Sequence, residues 1–180
     1  SNRAGIRPGD PDAAFALDRR ALARAFNRAA GSYDAAAWLQ QHARTELLER
    51  LDYFALQPHT VLDLGAGNGM VGEELRTMGI RSLVGVDILS EAAEAAERDR
   101  PGLYDDYLAA DFCDIQDEEV SRIQVFNPNC LVTVAALGFG DIPPKAFHTA
   151  YNLITTPGWV VFNIKETFLT GIDDTGFSRM

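Results

Sequence analysis

The chain predicts an α/β fold, a doubly wound and mostly parallel sheet, and three observations carry that prediction. From about residue 60, short apolar runs suited to buried strands alternate with segments of helical periodicity. The first run, Val61-Leu62-Asp63-Leu64, passes into a loop with glycines at 65, 67 and 69. The next two strands each end on an acid, Asp87 and Asp111.

Taken in order, residues 1–12 read as a loose tail. Ala14 to Ala29 and Ala35 to Leu51 carry apolar residues at helical spacing, broken by Gly31-Ser32-Tyr33-Asp34, where Ser32 or Asp34 can cap. Strands are expected near 60–64, 82–86, 104–109, 130–135 and 158–164, and helices near 70–78, 90–98, 116–122 and 144–154. Pro143-Pro144 suits a helix start, and Pro157-Gly158 a turn into the fifth strand. Such alternation implies right-handed crossovers with helices on both faces. No repeat or linker interrupts 1–180, so the expectation is a single domain: helices over 13–57, the core over 58–165 and a tail over 166–180.

Composition sets bounds. A chain of 180 residues with 47% apolar content can bury roughly 70% of its unfolded surface. No run approaches the ~20 apolar residues a membrane span needs, and no charged leader with an apolar core opens the chain. Cys113 and Cys130 lack metal-ligand spacing and read as packed thiols of a cytoplasmic protein, so no metal is expected. A net charge of −10 with scattered basic residues argues against a nucleic-acid partner, and Arg19 to Arg28 reads as the solvated side of a helix.

The glycine loop defines the chemistry. Strand, tight turn and helix follow one another, and Gly65, Gly67 and Gly69 permit backbone angles and ligand approach that a Cβ would forbid. The turn with Ala66 and Asn68 opens a helix, whose first N–H groups carry the positive end of the dipole. The dinucleotide fingerprint would need a third glycine at 70, where Met70 stands. Asp63, two residues before the first glycine, suits a ligand with a positively charged amino group, favouring an aminoacyl-nucleoside over a dinucleotide. Asp87 can accept both ribose hydroxyls of an adenosine, or cap the following helix in competition with Ser90. Ile88 would then lie along the adenine.

On these residues the segment VLDLGAGNG resembles the first motif of class I S-adenosylmethionine-dependent methyltransferases. The resemblance implies a Rossmann-like core and S-adenosyl-L-methionine as cofactor. It implies that Asp111 accepts the adenine amino group and that Phe112 packs on the ring, although an aromatic there also reads as core. It further implies that Val134 and Ala135, after the fourth strand, line the methionine portion. Residues 25–40, with AFNRAAGSYD and Trp38-Leu39-Gln40, resemble the lid of the malonyl-carrier-protein methyltransferase of biotin synthesis, as far as about Gly67. Tyr33 matches an aromatic that closes over the cofactor. Beyond Gly67, LVGVDILSEA, DDYLAADFCDI and WVVFNIKETFL resemble a small methyltransferase-like group that includes the one named for the Williams-Beuren syndrome region.

That fold is completed by a C-terminal antiparallel hairpin, for which the fifteen residues after Lys165 are too few, so its absence is expected. The fifth strand would then need cover from residues 166–180 or from a second copy, a homodimer through that edge. No catalytic residue is assigned: His42, His59 and His148 are poorly placed, and Lys165-Glu166 at the end of strand five is a candidate for substrate contact only. The expected acceptor is a small molecule, with an acyl carrier protein as the alternative and a non-catalytic cofactor-binding domain as a third reading.

Overall fold

The computed structural model describes residues 58–137, 142–169 and 176–177, together with Arg20 and Arg24. The expected helices over 14–29 and 35–51, with Tyr33 between them, lie outside the described residues apart from those two arginines, which are helical.

Each short apolar run forms a strand. They are β1 (Thr60–Leu64), β2 (Ser82–Asp87), β3 (Asp106–Ala109), β4 (Cys130–Thr133) and β5 (Trp159–Phe162). Between them run α1 (Met70–Thr77), α2 (Ser90–Asp99), α3 (Asp117–Val125) and α4 (Pro144–Asn152). All strand pairs are parallel and the spatial order is β3-β2-β1-β4-β5. β1 is fully buried because both faces are covered, which is why its sequence reads as a continuous apolar run and not as an alternation.

Two apolar layers flank the sheet. Leu62, Leu64, Val84, Val86, Leu108 and Leu131 face Ile123 of α3 and Ala146, Phe147 and Ala150 of α4. Val61, Leu83, Cys130 and Val132 face the opposite way, against Leu75 and Val71 of α1. Among the described residues no helix is long and apolar enough to cross a membrane.

Three strands are shorter than expected, two of them for a visible local reason. β3 starts at Asp106 because Asp105 turns its carboxylate to the Leu83 N–H (2.8 Å) and Tyr104 leaves the sheet. β4 stops at Thr133 because Ala135 adopts a left-handed φ of 55°. β5 covers only Trp159–Phe162. α3 runs past its expected end to Val125, its first turn tied by the Gln116 N–H donating to Glu119 (2.9 Å).

After β5, Glu166–Phe168 forms a single 3₁₀ turn, and Phe168 and Phe177 are buried in the cluster that holds Phe147. Trp159 and Phe162 stay 49% and 41% exposed among the described residues.

Candidate functional site

In a doubly wound sheet the ligand crevice opens at the carboxyl ends of the strands where the strand order reverses. Here the order reverses between β1 and β4, and the glycine turn leaves β1 at that point.

The turn is built by main-chain bonds that only these glycines allow. Gly65 and Ala66 both donate to the Val86 carbonyl, at 2.9 and 3.0 Å, so the chain curls toward β2 as it leaves the sheet. Gly65, Gly67 and Gly69 all have positive φ, 78°, 53° and 91°, which side chains resist. Gly69 is the N-cap of α1 without a side-chain cap, and its carbonyl accepts from Glu73 N–H. Among the described residues a Cβ on Gly67 would meet nothing within 4 Å, which leaves room for a ligand at the main chain there. Arg100 holds the far side of the turn, donating to the Asn68 carbonyl (3.2 Å) and pairing with Glu73 (2.9 Å).

Asp63, on β1, is 1% exposed, and its carboxylate accepts a 2.7 Å hydrogen bond from the Tyr104 hydroxyl. Burial pushes it up to about 7; the Tyr104 bond pulls the other way, and the charge of Asp87 adds to the rise. Asp87 ends β2 with one carboxylate oxygen accepting Gly67 N–H (3.1 Å) and the other Leu89 N–H (3.1 Å). Burial raises its pKa and these backbone bonds oppose the rise. Asp87 therefore faces the turn and also steadies the start of α2, whose N-cap is Leu89 and not Ser90.

The remaining expected site residues divide. Ile88 is half-buried beside Asp87. Asn68 is 6% exposed, and its side chain turns to Asp99 of α2. Asp111 accepts the Cys113 N–H at 2.9 Å. Phe112 is 3% exposed, inside the apolar cluster with Leu108 and Ile123. Val134 leans on the α1-side cluster. Ala135 is exposed, and its N–H donates to the Asn163 side chain at 2.6 Å. Tyr33 lies outside the described residues. Of the residues weighed for catalysis, His148 is exposed on α4, and His59 lies at the start of β1, at the opposite end of the strand from the turn.

Three further residues join the site without a sequence motif to mark them. Tyr107 of β3 donates to the Gly67 carbonyl (2.8 Å), and its ring meets Tyr104 edge-on at 5.2 Å between centroids. Asn163 holds the exit from β4. A signal for the tyrosines existed: Gly85 inside β2 and Gly72 inside α1 have no turn to make, and glycine in such places marks a close approach. A Cβ on Gly72 would lie 2.6 Å from the Tyr104 hydroxyl, and one on Gly85 would lie 2.8 Å from the Tyr107 ring. Asn129, in the Asn127-Pro128-Asn129 stretch, accepts from His59 and Thr60 N–H at the opposite end of β1 and serves the sheet.

A doubly wound sheet with a glycine turn at its order switch, answered by an acid at the end of β2, defines a nucleotide-type α/β site of the class I methyltransferase architecture. The chain belongs to the methyltransferase domain family, whose model matches residues 36–169. It is 36% identical over 150 residues to a malonyl-[acyl-carrier protein] O-methyltransferase of Yersinia pestis, covering 81% of this chain and 50% of that enzyme. It is 48% identical over 61 residues to the enzyme of the same name from Gallionella capsiferriformans, covering 34% of this chain and 21% of that one. The chain thus spans between about a fifth and a half of the length of these curated relatives. A match over 81% of the chain reaches into its second half, so this likeness does not stop at Gly67. The fold is shared with a TehB-like S-adenosylmethionine-dependent methyltransferase from Corynebacterium glutamicum, with a TM-score of 0.57 and 17% identity over 85% of this chain and 82% of that one.

Proposed function

We propose that this chain is an S-adenosylmethionine-dependent methyltransferase acting on a small-molecule acceptor by in-line methyl transfer. The observation that carries the reading is the open main chain of Gly67, tied to Asp87 at the strand-order switch. A carboxylate has about four acceptor sites, so Asp87 can bond Gly67 and Leu89 and still accept ribose hydroxyls. Asp63 would face the cofactor's amino group, Ile88 the adenine ring and Asp111 the adenine amino group. Val134 and Ala135 would border the methionine end, with Tyr33 closing over it, and Phe112 would pack on the adenine ring.

When bound, the cofactor supplies an already activated methyl group, so the protein's task is alignment and exclusion of water. The buried layer under the turn and the Asn163 bond at Ala135 serve that task by fixing the walls of the crevice.

A second reading of the acceptor is a malonyl-carrier protein, favoured by the activity of the relatives that share 36% and 48% identity. Against it stands long-range repulsion between an acidic carrier and a chain of net charge −10, which a local basic patch would have to offset. Exposed Trp159 and Phe162 support a homodimer through β5, which a monomer mass in solution would refute.

Calorimetric titration with S-adenosylhomocysteine and with NAD tests the cofactor. Micromolar binding of the first is expected, and binding of NAD alone overturns the reading. Turnover with malonyl-carrier protein against a metabolite panel then separates the acceptors, and binding without turnover on either points to a non-catalytic domain.

A further inference from the structure

We propose that Tyr104 and Tyr107 are positioning residues of the cofactor site, Tyr104 orienting the Asp63 carboxylate and Tyr107 the Gly67 carbonyl. The assignment rests on the cofactor reading above and adds to it the part that holds the turn in shape.

The geometry begins with register. Tyr107 is paired across the sheet with Gly85, and Gly85 with Asp63, so the three occupy one row on one face. Neighbouring strands are ~4.8 Å apart, so Tyr107 and Asp63 are separated by about 10 Å. A phenol can lie along that row only if the residue between has no side chain, and Gly85 has none. Tyr104 enters the same space from just before β3. A Cβ on Gly69, Gly72 or Gly85 would lie 3.3, 2.6 or 3.1 Å from its atoms. Three glycines on three elements, the turn, α1 and β2, thus make room for one ring.

Packing alone would be met by phenylalanine at both positions. Instead each hydroxyl reaches a specific acceptor, a buried carboxylate at 2.7 Å and a main-chain carbonyl of the turn at 2.8 Å. Both acceptors belong to the segment that would carry the ligand. Among the described residues, the titratable groups facing Asp63 are Tyr104 and Tyr107 from the β3 side and Asp87 from β2. β4 places Val132 beside it, and α1 brings Gly72 to the Tyr104 hydroxyl.

The Tyr104 bond also favours the ionised carboxylate, against the burial that pushes Asp63 up to about 7. A ligand with a positively charged amino group prefers that ionised form. Affinity should therefore rise with pH through the Asp63 transition, and loss of the Tyr104 hydroxyl should move the transition to higher pH.

The test is calorimetric titration of the whole chain with S-adenosylhomocysteine from about pH 5.5 to about 8.5, for the parent, Tyr104→Phe, Tyr107→Phe and Asp63→Asn. The parent should tighten through pH ~7; Tyr104→Phe should shift that midpoint up by about one unit and weaken binding ~10-fold at pH 7. Tyr107→Phe should weaken binding ~3- to 10-fold without moving the midpoint. Asp63→Asn should flatten the profile, and adding Tyr104→Phe to it should cost nothing further. A Tyr104→Phe midpoint equal to the parent's overturns the assignment, even if the melting temperature drops. So does an Asp63→Asn profile that keeps the parent's midpoint near pH ~7, an outcome readable even if Tyr104→Phe folds poorly. A parent that binds no ligand at any pH defeats the cofactor reading itself, and the assignment falls with it.

Discussion

The Tyr104 hydroxyl and the Asp63 carboxylate meet at 2.7 Å, although the residues are 41 positions apart. The bond joins the segment before β3 to the middle of the sheet, and it places a phenol where the glycine turn begins. It also puts an ionisable group in a layer otherwise lined by Val61, Leu83, Val132 and Leu75. Such a burial costs stability and is retained where the charge has a use.

That cost is measurable. Burial raises Asp63 from its ordinary value near 4 to about 7. Between those values the folded chain holds a proton that the unfolded chain has released. Its contribution to stability therefore falls as pH rises from about 4 to about 7 and is level above. Asp63→Asn lacks this loss, so its stability relative to the parent should climb by up to about 1.4 kcal/mol per pH unit in that window. Urea unfolding of both at pH 5, 6, 7 and 8 checks it; a difference that does not vary with pH would contradict the shift.

Asp87 is expected to matter for affinity more than for folding. Its two oxygens hold Gly67 and Leu89, and the turn keeps its other bonds to Val86 without it. Asp87→Ala should weaken S-adenosylhomocysteine at least 10-fold, about 1.4 kcal/mol, by losing the ribose contacts. Unchanged affinity in the same titration removes Asp87 from the ribose role.

Gly72 tests the cradle around Tyr104. Alanine inside a helix is ordinarily favoured over glycine by about 1 kcal/mol. At this position its Cβ would lie 2.6 Å from the Tyr104 oxygen and 2.7 Å from the ring carbon that bears it. Gly72→Ala should therefore lose about 1–3 kcal/mol despite the helical gain. Thermal unfolding decides, and a stabilised variant would show that the ring moves aside at no cost.

Thr133 ends β4 beside the order switch, fully buried, with a hydroxyl that has no hydrogen-bond partner among the described residues. Valine has nearly the same shape, suits a strand and carries no polar atom to leave unsatisfied. Thr133→Val should stabilise by about 1 kcal/mol in denaturant unfolding. A loss of stability would reveal a partner for the hydroxyl.

The two cysteines should differ in reactivity. Cys130 is 1% exposed and burial pushes its thiol up to about 12, while Cys113 is half-buried. Iodoacetamide at pH 8 should modify Cys113 first and spare Cys130 until the chain unfolds, read by mass spectrometry with and without urea.

Much of this was legible in the chain itself. Val61-Leu62-Asp63-Leu64 and Leu83-Val84-Gly85-Val86 announced buried parallel strands because both faces of such strands are apolar. Gly65, Gly67 and Gly69 announced the turn, since left-handed backbone angles are open chiefly to glycine. Asp87 was legible as a strand-end acid, and it faces the turn. Phe112 sits among buried neighbours, a setting that suits core packing and contact with a base alike.

Local pattern therefore determined the strands, the helices between them, the glycine turn and the acid that answers it, because those depend on neighbours within a few residues. Register, strand order and the use of Gly72 and Gly85 were decided only by the tertiary structure. An aromatic in an extended run looks the same whether it fills a core or reaches a carboxylate. Tyr104 and Tyr107 became partners of Asp63 and Gly67 only once β2 had been laid between β1 and β3 with a glycine in the shared row. Long-range pairing of that kind is set by burying the whole sheet at once, and no short stretch of sequence records it.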